Sequence, residues 1–115
     1  MILDSGSKVL VAHRRLFESD HARFFVGVVD DYEAGIARVT GYTWTRDGYR
    51  GIFSKKSEQR TKVISIVSGT VIVYQLPSQV QIERLEFSTS GGLLFLQDGL
   101  GFQMDLTEGS LKARV

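Results

Sequence analysis

The sequence predicts an all-β protein built on a small, strongly bent, antiparallel five-stranded barrel with an added C-terminal β-meander. Three observations predict it. Runs of β-branched and aromatic residues recur between turn residues. No stretch keeps apolar residues at helical spacing over ten positions. A glycine, Gly27, falls inside a strand pattern, where a tight bend needs a residue without a Cβ.

Val9-Leu10-Val11-Ala12 opens the first strand, which on residue type extends toward Phe17, with Glu18-Ser19-Asp20 as its turn. Residues 24–33 form the second strand, Ala34-Gly35 the next turn, and Ile36 to Thr45 the third strand. Asp47-Gly48 and Gly51 then break the pattern, so residues 46–60 read as the longest polar connection. Thr61 opens the run Lys62-Val63-Ile64-Ser65-Ile66-Val67, and Val71 to Leu76 follows Ser68-Gly69 and stops at Pro77. These two runs are apolar on both faces, and an apolar edge strand left in water invites pairing. Ile64, Ile66, Val71 and Val73 are therefore expected at an oligomer interface, which makes a homo-oligomer the expected state.

Val80, Ile82 and Leu85 form either a short helical turn or an irregular strand. Leu85-Glu86-Phe87, Leu93-Leu94-Phe95-Leu96 and Phe102-Gln103-Met104-Asp105-Leu106 make the meander, with Ser90-Gly91-Gly92 and Asp98-Gly99 as turns. The glycines of those turns supply positive φ rather than a phosphate cradle. Residues 1–115 read as one domain, with a core at 8–77, a β extension at 78–108 and a tail at 109–115.

The composition, 43% apolar and 23% charged, is too apolar for intrinsic disorder, and the absence of cysteine excludes disulfide and thiolate chemistry. No apolar run approaches the ~18 residues that span a bilayer, so no membrane is expected. The start, Met1-Ile2-Leu3-Asp4-Ser5-Gly6, lacks the basic region and apolar core of a signal peptide, and a cytoplasmic protein is expected. Net charge is only +1, but six Lys/Arg against two Asp/Glu gather in residues 46–62.

His13 and His21 have no tight ligand spacing, so neither a metal nor another cofactor is expected. Strand alternation places Asp31 and Glu33 on one side and Asp30 on the other, a charged edge or a weak cation site. No nucleophile motif, P-loop or dinucleotide fingerprint occurs, and no titratable groups converge by spacing; the expectation is a protein that is not an enzyme. Trp44 and Tyr49 lie beside Arg46 and Arg50, a ring and cation pairing that suits single-stranded nucleic acid. With Lys55 and Lys56 these four make the candidate nucleic-acid contact; core packing is the alternative reading of the rings.

Gly27-Val28-Val29-Asp30-Asp31-Tyr32-Glu33-Ala34-Gly35-Ile36 and Val67-Ser68-Gly69-Thr70-Val71-Ile72-Val73-Tyr74-Gln75-Leu76-Pro77 resemble the two motifs of the Sm-like family, with residues 45–61 as the variable linker. The resemblance spans about residues 8–77 and implies a bent five-stranded barrel that forms rings and holds RNA. An SH3-like or OB-like barrel generates much of the same pattern. At the positions that hold uridine-rich RNA in the family, this chain has Ala37, Gly35 and Ser68 in place of an Asn, a stacking side chain and an Arg. The usual RNA pocket is therefore expected to be absent.

These readings lead to a non-catalytic Sm-like module that self-assembles through strand edges as an interaction or scaffold unit. The alternative is an RNA-binding protein that uses residues 46–62, and a third class is a small-ligand carrier using the barrel mouth.

Overall fold

The structure, a computed structural model, describes residues 2–14, 22–46, 52–91 and 93–106. It is all-β with antiparallel sheets. The sequence was read as one domain; the chain divides into two compact units, Met1–Ser78 and Gln79–Val115.

The first unit is a six-stranded sheet rather than five strands. Its elements are β1 (Lys8–His13), β2 (Arg23–Glu33), β3 (Ile36–Arg46), β4 (Phe53–Lys55), β5 (Arg60–Ser65) and β6 (Val71–Leu76). The order is β4-β3-β2-β1-β6, and β5 also pairs with β3. The connection read as 46–60 thus contains a strand, β4, which pairs Phe53 with Arg46 and Lys55 with Trp44. Three residues are too short to show a period. The proposed continuation of the first strand to Phe17 and the turn at 18–20 lie outside the described residues.

Strands β2 and β3 are long because a two-residue turn joins them in register. Ala34 (φ 49°) and Gly35 (φ 85°) both take left-handed backbone between the paired Glu33 and Ile36, the requirement of a type I′ hairpin. Each long strand changes partners at one level. Residues 24–28 of β2 pair with β1, whereas β5 pairs only with residues 36–41 of β3. At that level Gly27 pairs with Gly41. A Cβ on Gly27 would lie 2.4 Å from the Thr40 carbonyl oxygen, and one on Gly41 would lie 1.9 Å from that of Val26. Backbone fills the space a side chain would need, so the bend anticipated at Gly27 takes a facing pair of glycines.

The sheet curls strongly about this line. In a flat sheet β5 and β6 would stand four strand spacings apart, about 19 Å. Instead Ile64 and Ile66 beyond one edge and Val73 at the other line a single apolar cleft with Val9, Val11 and Val39, and it has no room for a water-sized molecule. The core inside the curl consists of Leu3, Val9, Val11, Phe25, Val29, Ala37, Val39 and Ile64.

A β-bulge at Asp30 shifts the register between Val29–Val39 and Asp31–Arg38. Val29 and Tyr32, three residues apart, consequently both pack on the core, and Asp30, Asp31 and Glu33 are all exposed. The separation of Asp30 from the other two carboxylates, expected from simple alternation, is overturned by this extra residue. It also anchors the chain start. The Val29 N–H donates to the Ser7 carbonyl (2.7 Å), Gly6 N–H to the Val29 carbonyl (2.8 Å), and Ser5 Oγ to the Asp30 carbonyl (2.9 Å).

The second unit opens on a 3-10 turn, Ile82–Arg84, which resolves the two readings of 80–85. The meander follows as β7 (Glu86–Ser90), β8 (Leu93–Gln97) and β9 (Gln103–Asp105). Leu94 and Leu96 are buried while Leu93, Phe95 and Gln97 are half-buried, the alternation expected of a strand. Asp98 acts as the turn residue: its Oδ1 accepts from the N–H of Leu100 (2.8 Å) and of Phe102 (3.0 Å).

Candidate functional site

Two features of the first unit present unfinished chemistry, the sheet edges and a group of cations on the inner face.

Strand β6 ends the strand order, β5 lies with β4 along the other edge on β3, and among the described residues neither β5 nor β6 pairs on its outer side. The residues expected at an oligomer interface on these strands face the other way. Ile64 is buried in the core, and Ile66, Val71 and Val73 pack against it, so these four turn inward rather than toward a partner. The apolar residues left in water on or beside the same strands are Val63 (70% exposed), Val67 (76%) and Ile72 (41%). Ile36, at the start of β3 and paired with Ser65, is exposed as well.

The inner face collects positive charge. Val9 and Val11 point into the core, so alternation places His13 on the same face; Phe25 does the same for Arg23, and Ile64 for Lys62. In a flat sheet Lys62 and Phe25 would stand about 17 Å apart. The curl instead brings the Lys62 ammonium over the Phe25 ring, 4.6 Å from its centroid. Burial and the adjacent Arg23 and Lys62 charges hold the His13 imidazolium below its usual pKa of 6.5. Burial, Arg23 and Arg60 likewise lower that of Lys62. Among the described residues, neither His13 nor Arg23 has a side-chain hydrogen bond or ion pair. Arg60 does, to Glu58 (2.6 Å).

The residues expected to contact nucleic acid are placed differently. Trp44 is 7% exposed and offers no face to a base. Tyr42 carries the Lys55 ammonium 4.1 Å from its ring centroid, and Phe53 carries the Arg46 guanidinium at 5.9 Å and the Phe24 ring at 5.8 Å. Lys56 is exposed, its backbone N–H donating to the Thr43 carbonyl (2.8 Å). Arg50 and Tyr49 lie outside the described residues. Rings already capped by the chain's own cations make a poor stacking platform.

Sequence reasoning missed His13, Arg23 and Lys62 as a group. The signal was present in the phase of each strand: Val9-x-Val11-x-His13 and Arg23-x-Phe25 carry the inner face to a charged end.

The chain matches no protein-family model, no curated protein and no solved structure.

Proposed function

We propose that this chain is a non-catalytic, Sm-like module that assembles with copies of itself by pairing β5 of one copy with β6 of the next. One observation carries the reading: two six-residue strands at the ends of one curled sheet, each without an outer strand partner among the described residues and each flanked by exposed aliphatic side chains. Unpaired strand edges beside apolar surface are the usual substrate for sheet extension. Because the two edges differ, the contact is heterologous and generates a closed ring or an open filament according to the rotation per step. The Sm-like reading is further supported by the bend at Gly27 and by the Gly27–Ile36 motif that contains it.

Sedimentation of the purified chain tests this. The expected result is a discrete oligomer that Val63→Lys and Ile72→Lys dissociate into folded monomers, since both side chains are exposed. A wild-type monomer at every concentration overturns the proposal. The capped rings argue against base stacking along 46–62, and an absorbance ratio typical of protein alone in the same experiment would remove the RNA reading.

A further inference from the structure

We propose that His13, Arg23 and Lys62 form a binding site for the phosphate group of a small phosphorylated molecule, on the inner face of the curled sheet. The proposal rests on the curl alone and does not depend on edge pairing.

The three residues come from β1, the start of β2 and β5, and only the fold brings them together. Val71 is the register partner of His13 on β6 and adds no charge. Their like charges oppose one another: the Arg23 and Lys62 charges disfavour His13 protonation, and Arg23 disfavours that of Lys62. A half-buried cation such as Lys62, with no counter-charge among the described residues, is costly, and proteins normally pair one. Here the fold instead holds the Lys62 ammonium on the face of Phe25, a fully buried ring. Lys62 is thereby kept on the inner face rather than extended into water.

An anion would supply the complementary charge. The Arg23 guanidinium offers a planar fork of N–H donors, the Lys62 ammonium a point charge, and His13 a further N–H. A fork and a point charge carried on one face by different strands suit a tetrahedral dianion better than a flat carboxylate, whose two oxygens one guanidinium satisfies. Bound phosphate would also relieve the mutual repulsion, so ligand affinity and stability of the curl are linked.

The test titrates the full chain with inorganic triphosphate at constant ionic strength, reading heat and thermal midpoint, with sulfate and a single-stranded oligonucleotide as parallel arms at equal anion or phosphate concentration. The expected result is saturable triphosphate binding that raises the midpoint and weakens about tenfold or more in Arg23→Gln and in Lys62→Met. Without ligand, Lys62→Met is expected to melt at or above the wild-type temperature, because a repulsion is removed; a merely structural lysine would give a lower midpoint. Arg23 is exposed, so Arg23→Gln keeps the test decisive even if Lys62→Met folds poorly. Absence of a wild-type response to triphosphate, or affinity for triphosphate or sulfate that is unchanged in Arg23→Gln, overturns the site. An oligonucleotide that displaces triphosphate at equal phosphate concentration overturns the small-molecule assignment in favour of a nucleic-acid backbone.

Discussion

The two halves of the β2–β3 hairpin use their polar residues in opposite ways. In the half next to the turn, several polar groups are taken up by the fold, although the exposed Glu33 and Arg38 have no side-chain partner among the described residues. The Asp30 carboxylate accepts from the Thr40 hydroxyl, which also shares a hydrogen bond with the Thr61 hydroxyl (2.8 Å). Asp31 accepts from the Tyr32 N–H (2.9 Å). In the half beyond the Gly27–Gly41 line, Arg23 and the neighbouring His13 have no such partner among the described residues, and Lys62 is drawn toward them from β5. Both halves are rich in charge, so charge alone does not mark a site. The difference is that the unpartnered charges near the turn are exposed to water, whereas the cations beyond the line gather on the inner face against their own repulsion.

The largest expected effect comes from breaking the line between the halves. Gly41→Ala places a methyl against the Val26 carbonyl, which is backbone and has little room to yield. Urea unfolding should show a loss of about 3 kcal/mol or more. Near-wild-type stability would show that the halves are not folded over as tightly as described. Thr40→Val sharpens the contrast from the turn side. It removes the hydroxyl that links Asp30 to Thr61, with an expected cost of about 1 kcal/mol and no effect on triphosphate binding. Ala34→Asn acts on the turn itself. Asn accepts left-handed backbone better than Ala, so a gain of about 0.5 kcal/mol is expected in the same unfolding measurement.

The smallest effect is on pH dependence and comes from the unsatisfied half. The folded-state pKa of His13 lies below its ordinary 6.5, so between the two values the unfolded chain binds the extra proton. Stability therefore falls as pH drops from 6.5 through the folded value and is regained as pH rises. His13→Gln should flatten that part of the stability profile, and a profile identical to wild type would break the picture of His13 crowded by cations.

The sequence made the strands legible because β-branched and aromatic runs between turn residues leave few alternatives. The phase of β5 and β6 was not legible. Val63 and Ile64 are both aliphatic, and a strand apolar on each face carries no record of which side is inward. That is why Ile64 was expected outside and Val63 is the residue that faces water. The bulge at Asp30 was invisible for a related reason, since an inserted residue looks like any other until its partner strand is known. Gly41 carries no signal of its own in the sequence, because its role depends on the pairing that sets it opposite Gly27. The cationic group escaped notice because its members are scattered along the chain and only the curl unites them, whereas Arg46, Lys55 and Lys56 were conspicuous by proximity in sequence.

The surplus residue at Asp30 has a consequence beyond its own strand. It turns the Asp30 carbonyl toward Ser5 Oγ, beside the Val29 bonds to Gly6 and Ser7 that continue the β1 register, and just ahead of this mooring Leu3 lines the cleft. Excision of Asp30 would straighten the strand yet remove the acceptor that holds Ser5, so an irregularity in one strand helps tether the segment that delivers Leu3 to the core.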